Sequence, residues 1–388
     1  MMVIRILLEA IAVFVLVLTL PLQIELLVLS LASLLRIRRV SLASSSSIRL
    51  AVIIPAHDEE ELIARTVKSL LAAEATGCEV FVVAHNCSDK TAELARTAGA
   101  NVLELNDPAL CGKGNALNHG FNYAIEHGFD AVMVIDADSV VSSDLIDTVQ
   151  RAFATGVEAL QCRYQVLNIE ENRFTRLFAL AFLGMNVVRP RGRMQLGLSA
   201  GIFGNGFALR TSLLQRIPYN AHSVVEDLEY HLLLIRAGVR VEFVNEAVVY
   251  GDMPKSDKGA RSQRARWEGG RRRMRKEWTW RLAGEVMKGH LRMLEPLLDL
   301  RSLPIANQLL LIVLTFILPM TWIRIYASIS FIILLMHVSI AAISGYGFLG
   351  TLRVLALVPS YILWKIRIMA HVRRTSRADS NWVRTSRE

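Results

Sequence analysis

Two aspartates one residue apart, Asp136 and Asp138, close the apolar run Ala131-Val132-Met133-Val134-Ile135. Side chains at i and i+2 share a side of an extended chain, so both carboxylates can enter one pocket. A convergent pair of hard oxygen ligands suits a divalent cation that keeps positions open for phosphate oxygens. The same spacing recurs at Asp58/Glu60 and Glu59/Glu61, where it reads as first-turn acids of a helix. Gly112-Lys113-Gly114-Asn115 comes before the helix that leads into the Asp136 strand; glycines flanking a lysine let backbone and ammonium approach a phosphate, or simply form a loop. Gly204-Asn205-Gly206 is likewise either a close ligand approach or a bend. Val225-Glu226-Asp227 opens a helical stretch from Leu228 to Ala237, and a carboxylate there is either a cap favoured by the helix dipole or a general base. Gln263, Arg266 and Trp267 fall at i, i+3 and i+4, which puts an amide, a guanidinium and a flat stacking surface on one helix face. The arginines that follow, Arg271-Arg272-Arg273 and Arg275-Lys276, read as a charged helix on a membrane surface.

The elements that must position these residues alternate. Leu50-Ala51-Val52-Ile53-Ile54 has the pattern of a strand, after which Ile63, Val67, Leu70 and Leu71 recur at helical spacing. Val80 to Ala84, Val102 to Leu105 and Ala131 to Ile135 are further strands with helices between them. Strand and helix in turn predict an α/β fold with a mostly parallel sheet covered on both faces, and such sheets bind ligands at the carboxyl ends of their strands.

Around this domain the composition is that of a membrane protein. Of 388 residues 53% are hydrophobic, with mean hydropathy +0.36, above the roughly 45–50% apolar share of soluble domains. Ala10 to Leu35 carries one charge, Glu25, and exceeds the ~20 residues needed to cross hydrocarbon. Arg36, Arg38 and Arg39 follow it against Arg5 before it, which by the positive-inside rule places the next domain in the cytoplasm. Ile305 to Ile343 predicts two spans joined by a turn at Trp322-Ile323-Arg324, and Leu352 to Val372, with Arg353, Lys365 and Arg367, predicts a segment along the interface. Three crossings then leave the basic tail from Arg373 inside. The net charge of +9 follows from that arrangement and needs no nucleic acid as partner. Cys78, Cys87, Cys111 and Cys162 lack C-x-x-C pairing, which excludes a zinc ribbon or a disulfide framework.

Taken together, D-x-D after a strand, then E-D, then Q-x-x-R-W, all between membrane segments, resemble the membrane-integrated glycosyltransferases of family 2, the group of cellulose, chitin and hyaluronan synthases, bacterial exopolysaccharide enzymes and ceramide-type glucosyltransferases. The resemblance implies a GT-A domain over residues 48–281 with flanking transmembrane helices: an N-terminal one within 1–40, an interfacial amphipathic segment over 282–304, a transmembrane hairpin over 305–343, and an interfacial helix with a basic cytosolic tail over 352–388. It implies an inverting transfer from a nucleotide-sugar donor, a UDP-sugar, to a saccharide or lipid-linked acceptor at the cytoplasmic face of a bacterial inner membrane. A divalent cation, Mg2+ or Mn2+, is held by Asp138 and Asp136, and Asp227 is the base, with Glu226 beside it in the substrate site. Gln263 and Arg266 contact the diphosphate, Trp267 lies under the acceptor sugar, and Lys113 matches the family's G-K-G. Pro55 and Glu59 belong to a loop resembling P-A-x-N-E-E, in which Asp58 replaces the usual Asn. The usual nucleobase Asp is replaced by His85, with Asn86 or Asp89 as substitutes. The tail Trp382-Val383-Arg384-Thr385 resembles the W-x-R-T ending of bacterial members. Further partners implied are membrane lipid and a second copy or an export protein.

Overall fold

The computed structural model describes residues 2–356 apart from 36, 74, 172, 221–224 and 255–256. The chain opens with a long helix, α1 (Met2–Ser33), and then alternates: β1 (Leu50–Ala56), α2 (Ile63–Ala72), β2 (Cys78–His85), α3 (Thr91–Thr97), β3 (Asn101–Leu105), α4 (Lys113–Glu126) and β4 (Ala131–Val134). These four strands are mutually parallel in the order β3-β2-β1-β4. Every residue from Leu50 to Ile54 is fully buried, as a strand covered by helices on both faces requires. The alternation of side chains divides β1 between two cores. Leu50, Val52 and Ile54 join Val67, Leu70, Leu145 and Phe153 on one face, whereas Ala51 and Ile53 meet Phe81, Leu117 and Phe121 on the other.

The acids at 58–61 are not first-turn residues, because α2 starts only at Ile63. Asp58 has φ 54, a left-handed conformation that breaks any helix there and that Asn and Asp tolerate, so the replacement of Asn by Asp fits the backbone. Its Oδ1 accepts the Ser88 N–H at 2.6 Å and Glu60 Oε2 accepts the Lys90 N–H at 3.1 Å. These carboxylates fasten the β1–α2 loop to the loop after β2.

The second half adds β5 (Ser139–Val141), α5 (Leu145–Phe153), β6 (Ala159–Val166), α6 (Arg173–Leu183), a π-helical turn (Gly184–Val188) leading into α7 (Arg189–Gln195), β7 (Phe207–Arg210), α8 (Thr211–Arg216), α9 (Glu226–Arg236) and β8 (Val241–Gly251). The sheet order is β3-β2-β1-β4-β7-β6-β8-β5, with β7 antiparallel to β4 and β6 and β5 antiparallel to β8. A mixed edge on a parallel sheet carries β7 back beside β4, so the Gly204-Asn205-Gly206 turn lies next to the Asp136 strand end.

Then come α10 (Asp257–Met287), α11 (Leu294–Arg301), α12 (Ile305–Thr315) and α13 (Thr321–Leu355). Among the described residues, Met2–Ser33 and Thr321–Tyr346 are long and apolar enough to cross a membrane. The first arm of the expected hairpin is short. α12 has 11 residues, about 17 Å of helix, and Leu291–Arg301 meets it at 73°. The turn between α12 and α13 falls before Trp322, where Arg324 Nε donates to the Leu318 carbonyl at 2.7 Å. Residues 357–388, which hold most of the expected interfacial segment and the whole basic tail, lie outside the described residues.

The basic run on α10 does not lie wholly on a surface. Arg271 pairs with Asp299 Oδ2 at 2.8 Å, and Arg275 donates to the Leu300 and Ser302 carbonyls at 2.9 Å each. Those carbonyls end α11, where unpaired C=O groups and the negative end of the helix dipole attract cations. Glu25, the one charge between Ala10 and Leu35, is buried and paired with Arg189 of α7. Gly192 sits on α1 so closely that a Cβ would stand 2.2 Å from the Leu29 carbonyl oxygen; only hydrogen fits at that crossing.

Candidate active site

The carboxyl end of β4, an inner strand, delivers Asp136, whose backbone N–H donates to Asn205 Oδ1 at 3.1 Å. Asn205, itself fully buried, donates through Nδ2 to Ser139 Oγ at 2.9 Å, and its carbonyl accepts from Gln161 Nε2 at 2.8 Å. The Asp136-Ala137-Asp138 segment is thereby clamped from β7's side. Asp138 is tied through its backbone, since its carbonyl accepts from Arg65 Nη2 at 3.0 Å, and the same guanidinium pairs with Asp252 Oδ2 at 2.6 Å. Lys113, the first residue of α4 rather than part of a loop before it, forms an ion pair with Asp136 and donates to the Gly204 carbonyl at 2.6 Å. The ammonium expected at phosphate therefore also holds an aspartate.

Gly204 is at φ +76, and a Cβ there would stand 3.2 Å from Asp227 Oδ2. Backbone conformation and the nearness of that carboxylate both favour glycine. Asp227 lies in the first turn of α9, with Oδ1 accepting the Leu228 N–H at 2.8 Å, so it acts as a cap and still faces the cavity through its other oxygen. Burial raises its pKa above the ordinary aspartate value, opposed by the Leu228 N–H and the Lys113 charge. Burial and the neighbouring Asp227 charge push Glu226 up to about 7. Burial pulls the Lys113 ammonium down, but Asp136, Glu226 and Asp227 outweigh it and hold the lysine above its usual value, protonated.

Across the sheet, Asn86 also has a left-handed φ, 51, and its Nδ2 donates to the Asp107 carbonyl at 2.9 Å. His85 is buried, its Nε2 bonds the Leu110 carbonyl and its own carbonyl bonds His57 Nδ1 at 2.7 Å. Burial lowers the imidazole pKa, so the ring is a neutral donor that ties the 107–111 loop to β2. On α10, Trp267 lies over Phe178 with ring centroids 6.1 Å apart and 26° between planes, and it packs with Phe182 and Met253.

One cavity of about 1860 Å³ is lined by all twelve residues expected from the sequence: Pro55, Glu59, His85, Asn86, Lys113, Asp136, Asp138, Glu226, Asp227, Gln263, Arg266 and Trp267. Asp136, Asp138, Glu226, Asp227 and Asp252 are five of the ten carboxyls that line it, with Lys113 paired to Asp136 and Arg65 to Asp252. The paired oxygens of Asp136 and Asp138 are hard ligands of the kind that suit a divalent cation. A second convergence, Asp58, Cys87 and Asp89, is occupied with the loop itself, since Asp58 takes the Ser88 N–H and Asp89 Oδ1 takes the Thr91 N–H at 2.9 Å. The sequence marks Gly204-Asn205-Gly206 as a ligand approach or a bend but not the clamping role of Asn205, and it carries no signal for Arg65 or Asp252.

A family model, "Glycosyltransferase like family 2", matches residues 48–270. A Bacillus subtilis protein described as "Probable glycosyltransferase YdaM" is 26% identical over 57% of this chain and 55% of its own length. The Staphylococcus aureus (strain COL) "Poly-beta-1,6-N-acetyl-D-glucosamine synthase" is 24% identical over 55% of this chain and 52% of its own. The chain thus spans about half the length of the curated relatives it matches. Among solved structures, the mannosyltransferase PcManGT of Pyrobaculum calidifontis, in complex with GDP-Man and Mn2+, superposes with TM-score 0.55 at 17% identity over 95% of this chain and 96% of that one, which shows a shared fold. The chain belongs to glycosyltransferase family 2.

Proposed function

We propose that this family 2 member is an inverting transferase that moves a hexosyl or N-acetylhexosaminyl unit from a nucleotide-sugar donor to a saccharide or lipid-linked acceptor. The observation that carries the reading is the convergence of the D-x-D, G-K-G, E-D and Q-x-x-R-W residues on one cavity from four separate parts of the chain. Asp136 and Asp138 would hold a divalent cation, which when bound neutralises the donor diphosphate. Lys113, fixed by Asp136 and Gly204, adds a positive charge on the same side, and Arg266 and Gln263 bring donors for phosphate oxygens from α10. Asp227 accepts the proton of the acceptor hydroxyl as that oxygen bonds the anomeric carbon from the face opposite the leaving group. The anomeric C–O bond breaks with its electron pair going to the nucleoside diphosphate. Trp267, braced on Phe178, offers a flat face for the acceptor ring.

The pKa pattern supports this division of labour. A base raised by burial is a stronger proton acceptor, and the Leu228 N–H and the Lys113 charge oppose that rise. α1 and α13 anchor the catalytic domain at the cytoplasmic face of a bacterial inner membrane in a multi-pass arrangement, as the arginines after α1 support. Purified protein in lipid nanodiscs, given Mg2+ or Mn2+ and a panel of UDP- and GDP-sugars, should release nucleoside diphosphate from one of them and label an endogenous or added acceptor. No turnover of any donor would reject the reading.

A further inference from the structure

The helix that brings Gln263, Arg266 and Trp267 to the cavity is fixed just beyond that motif, at two adjacent residues. At Gly270 a Cβ would stand 2.6 Å from Val225 Cγ1, so α10 rides directly on the residue that precedes Glu226 and Asp227. At Arg271 the side chain turns to α11, where it donates to the Asp299 backbone carbonyl and pairs with Asp299 Oδ2 at 2.8 Å. Asp299 is 9% exposed. Its other oxygen, Oδ1, pairs with Arg189 and, at 3.4 Å, with Arg193, both of α7. Arg189 in turn pairs with Glu25 of α1. The charges Arg271, Asp299, Arg189 and Glu25 therefore tie α10 to a helix long enough to cross a membrane.

Gln263, Trp267 and Arg271 recur every fourth residue and form one stripe along α10, each step advancing about 6 Å along the axis. The Arg271 anchor thus sits one turn beyond Trp267. One turn further, Arg275 holds the carbonyls that end α11. A buried ion pair adds little stability over apolar residues of the same volume. What it specifies is geometry, because a guanidinium bonded to both the carboxylate and the carbonyl of one residue admits a narrow range of distances and directions. Catalytic contacts need that precision, since a misplacement near 1 Å can cost about 10²-fold in rate.

We propose that Arg271, anchored on Asp299, is a positioning residue for the diphosphate site: it sets the height and rotation of α10 so that Arg266 reaches the donor phosphates while Asp227, across the Gly270–Val225 contact, keeps its place. The proposal rests on the transfer reaction proposed above and adds a residue that acts through Arg266.

The test is a double-mutant cycle on the full chain in lipid nanodiscs. Arg271→Gln removes the anchor, Arg271→Lys keeps the charge without the planar fork, and Arg266→Gln removes the contact being positioned. Calorimetry gives the Kd of UDP, GDP, CDP and ADP in the presence of Mn2+, and the nucleotide that wild type binds tightest is followed through the variants. Arg271→Gln should weaken binding about tenfold and Arg271→Lys about threefold. In the Arg266→Gln background the loss caused by Arg271→Gln should shrink below about threefold, the non-additivity of residues that act as a unit. Arg271→Lys carries the same comparison if Arg271→Gln does not fold. Unchanged affinity in a folded Arg271 variant would overturn the positioning role. A loss of equal size with and without Arg266→Gln would overturn it too, because a residue that only stabilises the fold, or binds the nucleotide by itself, gives additive effects. Failure of wild type to bind any of the four nucleotides with Mn2+ would instead overturn the transferase reading, and this role with it.

Discussion

Replacing Asp227 by Asn isolates the proposed base from the rest of the cavity. The carboxamide has the size of the carboxylate, and its oxygen can still accept the Leu228 N–H now bonded at 2.8 Å, so the first turn of α9 keeps its cap. Gly204, whose hypothetical Cβ lies 3.2 Å from Asp227 Oδ2, already leaves room for an NH2 in that place. Electrostatics change in one direction: Lys113 loses one of the three carboxylates that raise it but keeps the pairing with Asp136, and Glu226 loses the like charge that helps push it to about 7. Neither change removes a diphosphate contact. What disappears is the proton acceptor, a contribution of about 10²–10⁴ in rate, which corresponds to roughly 2.7–5.5 kcal/mol of barrier. Radiolabelled sugar transfer should fall by that factor while calorimetry finds nucleoside diphosphate affinity within about threefold of wild type. Transfer retained within tenfold of wild type would refute the assignment of Asp227.

Chelation of divalent cations should abolish tight nucleoside diphosphate binding, and Asp138→Asn should weaken the cation-dependent part of it about tenfold or more, both read by calorimetry with and without Mn2+. Gly192→Ala should lower the thermal midpoint in detergent, because a Cβ at 2.2 Å from the Leu29 carbonyl oxygen forces α7 off α1, at a cost of about 1–3 kcal/mol; an unchanged midpoint would show the crossing to be looser than described. The ligand-free protein should lose stability as pH rises from 4.5 to about 7, the interval between the ordinary and the raised Glu226 value, in which the folded state holds a proton the unfolded chain has released. Glu226→Gln should flatten that slope in melting curves.

The parts of this molecule legible in the sequence are those decided locally. An apolar run such as Leu50 to Ile54 declares a strand buried on both faces, and Asp136 and Asp138 stand where such a strand must meet solvent or ligand. Gln263, Arg266 and Trp267 share a helix face by spacing alone, and all three line the cavity. Features set by distant partners were not legible. Asn205 matters because β7 returns antiparallel beside β4, a crossover with no local signature. Arg271 and Arg275 turn inward because α11 ends beneath them, and the same residues on an isolated helix would point to water or lipid. Glu59, Glu60 and their neighbours looked like helix starters because the left-handed turn at Asp58 is invisible to a count of acids. Likewise the Glu25–Arg189–Asp299 chain joins three helices far apart in sequence.

The most direct test of the account is a donor screen on the purified chain in nanodiscs, with nucleoside diphosphate release and product mass measured in parallel. The account predicts cation-dependent release from one nucleotide-sugar, a saccharide product extended by that sugar with inverted anomeric configuration, and loss of both signals in Asp227→Asn. Retention of configuration, or equal product formation by Asp227→Asn, would contradict it.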